Sequence, residues 1–414
     1  MTATLLPLRR PTPPSIDQRG ARTRHEPQLS QLPNLSGSGE APSPSRNLRN
    51  LASAACAILL LSIAFLAPTV TAAAPRLVII DDDVIGMNGA PALLLQAPDV
   101  RVLGITTTSG SVWRDTATAH ALRTVEIVDA RVPVIPGAVY PLINNEARTR
   151  AWEGLHGRLI YKGPWTGDWA EDTLQSKPPS HPPEVVPDLR EGNPTTRPSA
   201  EIAAAWLVRM AREHPHEITL IATGPMTNIA IAQSLDPSFA ANIRELVYMG
   251  GSLAPRQRLA TRSAAEFARE FVNTPRREFN IRWDPEAARI VAHAPFAKVT
   301  MVPVDPSTGT EWTAEFIAAL PKTPLTAALA RSIEAGFPMW DELAAMVWLH
   351  PEIVTEQERL YIDFETDGGA SYGDTLSWTA AYRPKLGERE QTVIRSVDRA
   401  MLEAAMRALY ARRP

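Results

Sequence analysis

From Arg76 onward the chain alternates short, continuous apolar runs with segments of helical period, and this alternation restricts the fold more than any other feature. The predicted strands are Leu77–Ile80, Val100–Thr107, Val132–Ile135, Ile218–Ala222, Leu246–Met249 and Val299–Val304. The predicted helices between them are Ala90–Gln96, Thr116–Val128, Ala200–Arg212, Met226–Gln233 and Pro285–Ala292. Runs that are apolar at every position suit strands buried on both faces, as in parallel sheets covered by helices. The expectation is an α/β fold: a mostly parallel, Rossmann-like sheet with helices on both faces, in a single domain with loop insertions. Two segments interrupt the pattern. Gly163–Pro198, rich in Pro, Asp and Glu, reads as a long loop of the kind that forms functional lids. Pro255–Asn273 is basic and partly helical.

The first part of the chain has a different character. Residues 1–50 hold eight prolines and no long apolar run, so they read as a disordered extension. Leu51–Leu66 is an uncharged apolar run behind Arg46 and Arg49, and Ala72-Ala73-Ala74-Pro75 offers the small residues that a signal peptidase accepts. Residues 51–74 therefore read as a signal peptide or membrane anchor, and residues 75–414 as the folded body. The expected location is periplasmic or secreted, with attachment to a membrane through residues 51–70 as the alternative. Seven arginines against three acids in residues 1–74 leave 35 basic and 42 acidic residues in 75–414. A mildly acidic body argues against a nucleic-acid partner, which needs a basic face. The one cysteine, Cys56, lies in the uncharged run, so the body has no disulfide, Cys-ligated zinc or thiol catalysis.

In an open parallel sheet, ligands bind beyond the carboxyl ends of the strands. Here those ends carry Asp81-Asp82-Asp83, Thr106–Ser111, Thr223-Gly224-Pro225-Met226-Thr227-Asn228 and Gly250-Gly251. Three successive carboxylates repel one another unless something positive compensates, and a hard cation with oxygen ligands, Ca²⁺ or Mg²⁺, is the natural partner. The alternative is local: one Asp solvated, one capping the next helix, one paired with an arginine. The sequence has no dinucleotide fingerprint at Gly86–Gly89, no phosphate-loop Gly-Lys-Ser/Thr and no Gly-x-Ser-x-Gly elbow.

These residues resemble the inosine-uridine preferring nucleoside hydrolases. Asp81-Asp82-Asp83 stands where that family opens with D-x-D-P-G-x-D-D, and Leu103-Gly104-Ile105-Thr106-Thr107-Thr108-Ser109-Gly110 resembles its G-[IV]-T-T-x-x-G-N. Ala222–Ala230 resembles A-x-G-P-L-T-N-[IL]-A, and Met249-Gly250-Gly251 resembles its M-G-G. Thr274–Asn280 with Asp284–Ala288 resembles T-P-x-x-E-F-N-x-x-x-D-P-E-A-A, and Tyr372-Gly373-Asp374-Thr375 the late Y-G-x-T.

The resemblance implies an enzyme that cleaves the N-glycosidic bond of a ribonucleoside with help from Ca²⁺. It implies Asp83 as both the water-activating base and a metal ligand, joined at the metal by Asn88, the carbonyl of Thr227, and Asp341. It implies substrate contacts from Asp82, Ser111, His156, Asn273, Glu278, Asn280 and Trp340, with His156 near the leaving base. Trp165 and Trp169 of the long loop would cover the base. A nucleoside or related riboside is the implied partner; homo-oligomerisation is left open.

The chain also departs from the family pattern at the site. In ungapped register Met87 and Asn88 stand where the family has paired acids, Val84-Ile85 where it has Pro-Gly, Ser111 where it has Asn, and Trp340 where it has His. Val272-Asn273 straddles the expected ribose-binding Asn. Met87 offers no oxygen for a hard cation, and Asn88 contributes no charge, although Asp82 adds an acid nearby. A non-catalytic nucleoside- or sugar-binding protein on the same scaffold is the alternative reading.

Overall fold

The structure, a computed structural model, describes residues 74–412 except 158, 160, 166–179, 255–276, 308 and 334. The leader, Trp169, the basic insertion after Ala254 and Asn273 therefore lie outside the described residues. No helix among the described residues is long and apolar enough to cross a membrane.

Among the described residues nine strands form one sheet: β1 Arg76–Asp82, β2 Val100–Thr107, β3 Val134–Pro136, β4 Ile218–Ala222, β5 Glu245–Met249, β6 Val299–Val302, β7 Val354–Phe364, β8 Thr375–Trp378 and β9 Arg389–Val397. Their order across the sheet is β3-β2-β1-β4-β5-β6-β9-β7-β8. β1 to β6 pair in parallel, β9 joins β6 in parallel, and β7 runs antiparallel to both its neighbours. The helices used below are α1 Ala90–Leu94, α2 Arg114–Ile127, α3 Glu146–His156, α4 Ala203–Glu213, α5 Thr227–Leu235, α6 Phe279–Trp283, α7 Pro285–His293 and α8 Trp340–Leu349.

Side chains alternate across a strand, so the sheet feeds two apolar layers. On one side Val78, Ile80 and Ile221 pack with α1 and α8; on the other Ile79, Leu220 and Ala222 pack with α4, α5 and α7. The strands read from the sequence are present with small changes of boundary: the sixth ends at Val302, and Val304–Ser307 is a helical turn. α3 falls in a stretch given no element above, as does the β7–β9 unit. Residues Thr355–Arg359 of β7 are polar and exposed, and that part of the strand lacks the apolar signature of a buried one. Within the long loop, Gly163–Trp165 forms a 3-10 turn.

The chain leaves β1 toward β2 and β3, then crosses back to place β4 on the other side of β1. That reversal opens a crevice at the carboxyl ends of β1 and β4, the place where such sheets bind ligands. Asp81–Asp83 and Thr223–Asn228 meet there.

Candidate active site

All three aspartates at the end of β1 are buried, at 0%, 1% and 4% exposure for Asp81, Asp82 and Asp83. None is solvated, and each has a different environment. Asp81 Oδ1 accepts from the Thr106 hydroxyl (2.5 Å) and from Asn228 Nδ2 (2.8 Å). Asp83 Oδ2 accepts the backbone N–H of Ser111. Among the described residues neither oxygen of Asp82 has a partner at full hydrogen-bonding geometry; the nearby Thr223 hydroxyl, likewise without a well-formed bond, is the one donor that acts on it, holding it down slightly against burial. The local alternative of a helix cap and an arginine partner is thus not what these contacts show.

Asp83 is wedged between two backbone segments. A Cβ on Gly110 would overlap its Oδ2, and one on Gly224 would stand 2.7 Å from its backbone N. Glycine at these positions lets the β2 and β4 loops close onto the carboxylate. Asn228 ties the site together: besides Asp81 it donates to the Thr107 carbonyl (3.2 Å) and accepts the Ala138 N–H (2.8 Å), linking the ends of β1, β2 and β3. Within the Ala222–Ala230 motif Asn228 carries no role legible from the sequence, because its effect depends on contacts far apart in the chain.

Burial pushes Asp81 up to about 7, with Asp83 adding repulsion against the Thr106 and Asn228 hydrogen bonds. Burial also pushes Asp83 up to about 6, against the stabilising Ser111 N–H. Asp341, in the first turn of α8, is held well above the ordinary carboxylate range by burial and then by the charges of Asp82, Asp83, Glu342 and Glu278. Asp82 is raised in the same way, by burial and then by Asp83, with Asp81 and Glu342 also acting on it. Glu342 is an acid the sequence reading missed. It is 1% exposed, and its Oε1 accepts the Gly89 N–H (2.9 Å) and Trp312 Nε1–H (3.1 Å). Burial still pushes it up to about 7, although the Asn88 side chain also donates to it.

The other expected site residues are placed as follows. Glu278 caps α6: Oε1 accepts from Asn280 N (2.8 Å), and Oε2 from Gly251 N (3.0 Å) and Ile281 N (3.2 Å). Asn280 Nδ2 donates to the carbonyls of Thr223 (2.9 Å) and Met249 (3.3 Å), joining the ends of β4 and β5. Thr227 opens α5 and donates its hydroxyl to Asp284 Oδ2 (2.7 Å). Ser111, beyond gripping Asp83, accepts the Tyr161 hydroxyl on its carbonyl (3.0 Å). Trp340 packs edge-on against Phe337, ring centroids 5.3 Å apart. His156 is exposed at the end of α3 with its ring 5.2 Å from Trp152, over which the guanidinium of Arg277 lies at 4.6 Å. Met87 is fully buried in the apolar core.

An aromatic wall stands beside Asp83. Tyr161 packs on Phe279 (4.5 Å), and Trp165 stacks on Trp283 (4.1 Å, 27° between planes). Trp165, expected to cover a base, is instead buried in this stack at 8% exposure.

The donor chemistry of the acidic end fits a hard cation. The ligand atoms are oxygens, the buried carboxylate of Asp82 has no well-formed hydrogen bond, and the charges acting on Asp82 and Asp341 are negative. Among the described residues, no three His, Cys, Asp or Glu side chains already converge as a metal cage.

A parallel sheet with buried carboxylates at its switch point defines a class of α/β enzymes that work beyond the strand ends. The sequence profile of the inosine-uridine preferring nucleoside hydrolases matches residues 78–404, and the chain belongs to that family. It is a hydrolase acting on N-glycosyl bonds, in a family whose members depend on a metal. It is 31% identical over 314 residues to a non-specific ribonucleoside hydrolase, RihC, of Klebsiella pneumoniae, covering 73% of this chain and 88% of that one. It is 28% identical to uridine nucleosidase 1 of Arabidopsis thaliana, covering 77% of each. Among solved structures, a plant nucleoside hydrolase, PpNRh1, shares the fold with a TM-score of 0.60 at 24% identity, over 81% of this chain and 99% of that one.

Proposed function

We propose that this chain is an exported enzyme that hydrolyses the N-ribosidic bond of a ribonucleoside or related N-riboside, with Asp83 as the base that activates water and Ca²⁺ as its cofactor. The observation that carries the reading is Asp83 itself: buried at the switch point, fixed by the Ser111 N–H, and raised to about 6. A carboxylate in that range is ionised at neutral pH and takes a proton from water more readily than an ordinary one. Water adds to the anomeric carbon, the C–N bond breaks, and the bond's electron pair leaves with the base, which takes up a proton. The sugar passes through an oxocarbenium-like state, which the buried carboxylates beside it stabilise.

Asp83, Asn88, Asp341 and the Thr227 carbonyl are the groups we assign to the cation. When bound, Ca²⁺ lowers the pKa of the attacking water and offsets the carboxylate charges. Glu278 and Asn280, which frame the ends of β4 and β5, are assigned to the ribose hydroxyls, and Asn273 to the same face. Ser111 fixes the base. Trp340 and His156 are assigned to the leaving-group side, where aromatic surface suits a planar base.

The test is a panel of purine and pyrimidine nucleosides, assayed with Ca²⁺ for release of reducing sugar. Asp83→Ala should abolish release while leaving the melting temperature within a few degrees. Binding of nucleosides without release of sugar from any of them by the intact protein would overturn the catalytic reading in favour of a binding protein.

A further inference from the structure

Of the three aspartates that end β1, Asp82 is the one the protein leaves least satisfied. It is 1% exposed, and only the Thr223 hydroxyl acts on it, without a well-formed hydrogen bond, while Asp81 and Asp83 beside it each accept well-formed ones. Desolvating a carboxylate without donors is costly, and the like charges around it add to the cost. Asp82 feels Asp83, Asp81 and Glu342, and among the charges acting on Asp341 its own is the strongest. A bound cation removes both penalties at once.

The loop that follows β1 offers little in its place. Met87 is fully buried in the apolar core, and the Asn88 side chain donates to Glu342. Glu342 accepts Gly89 N–H and Trp312 Nε1–H on one oxygen, so it anchors the turn before α1 to α8.

Resting on the calcium reading above, we propose that Asp82 is a direct ligand of the cation and that Asp82 and Glu342 together supply the negative charge missing at positions 87 and 88. The acidity of the site has moved from the start of the helix to the end of the strand and the first turn of α8. Glu342 acts as a positioning residue, because its carboxylate is engaged by the turn it holds.

The experiment is calorimetric titration of Ca²⁺ into the metal-free full chain, beside Asp82→Asn, Asp82→Glu and Asn88→Ala, with melting curves in EDTA and in Ca²⁺. Asp82→Asn should weaken Ca²⁺ binding by about tenfold or more, since affinity at such sites follows the count of charged ligands. It should lose most of the rise in melting temperature that Ca²⁺ gives the wild type. Asp82→Glu keeps the charge and should retain more affinity than Asp82→Asn, while Asn88→Ala should weaken binding less than Asp82→Asn does. If Asp82→Asn binds Ca²⁺ as tightly as wild type, Asp82 is not a ligand and the calcium reading survives. If wild type shows neither binding heat nor a melting shift, both fall together.

Discussion

Without metal, stability should fall as pH rises from 5 to 8, the reverse of what salt-bridged carboxylates produce. A carboxyl whose folded value is raised holds its proton more tightly in the folded state than in the unfolded one. Its contribution is present in full below the unfolded value near 4 and is lost as pH climbs through the folded value. Asp83, raised from 3.8 to about 6, and Asp81 and Glu342, raised to about 7, place that loss between pH 5 and 8. For Asp83 alone the shift corresponds to about 3 kcal/mol, of which roughly half is lost between pH 5 and 8. At roughly 2–4 °C per kcal/mol for a domain somewhat smaller than this one, Asp83 alone should lower the melting temperature by about 3–6 °C across the window, with Asp81 and Glu342 adding to the drop. Acids lowered in the fold do not obscure this. Glu126, held down to about 2 against its partial burial by the Thr196 and Thr195 N–H groups, loses its contribution only as pH falls below the ordinary carboxyl range. The assay is scanning calorimetry in EDTA at half-unit steps of pH, repeated with millimolar Ca²⁺ and with Asp83→Asn. Calcium should recover most of the loss at pH 8, and Asp83→Asn should flatten the slope. A melting temperature in EDTA that is level or rising from pH 5 to 8 would refute the reasoning.

Three further outcomes follow from the contacts. Gly110→Ala places a methyl on Asp83 Oδ2, so kcat should fall at least about 100-fold, as expected when a catalytic group moves by about an ångström, measured beside a near-native circular dichroism spectrum. Asn228→Ala removes one of two donors from Asp81 Oδ1 and from the Thr107 carbonyl and leaves the Ala138 N–H without its acceptor, and should cost about 1–3 kcal/mol in urea unfolding. If the leader is an export signal, sequencing of the mature protein should start near residues 73–76; an intact N-terminus in the membrane fraction would indicate an anchor.

The sequence by itself determined the frame. Parallel strands buried on both faces must be apolar throughout, so Leu77–Ile80, Ile218–Ala222 and Leu246–Met249 declare themselves locally, and their polar ends point to the site. The ordered motif blocks carried the family in the same way, because each is a short segment held by its own turn. What lies beyond that depends on contacts that no local period encodes. Asn228 reaches Asp81 across 147 residues, and Glu342 reaches Gly89 across 253. The antiparallel β7, polar along its exposed half, is a strand only because β8 and β9 pair with it. Three successive aspartates look alike on the page. Only tertiary structure separates one held by Asn228, one gripped by Ser111 and one without a well-formed hydrogen bond, because burial and hydrogen bonding are properties of the assembled neighbours.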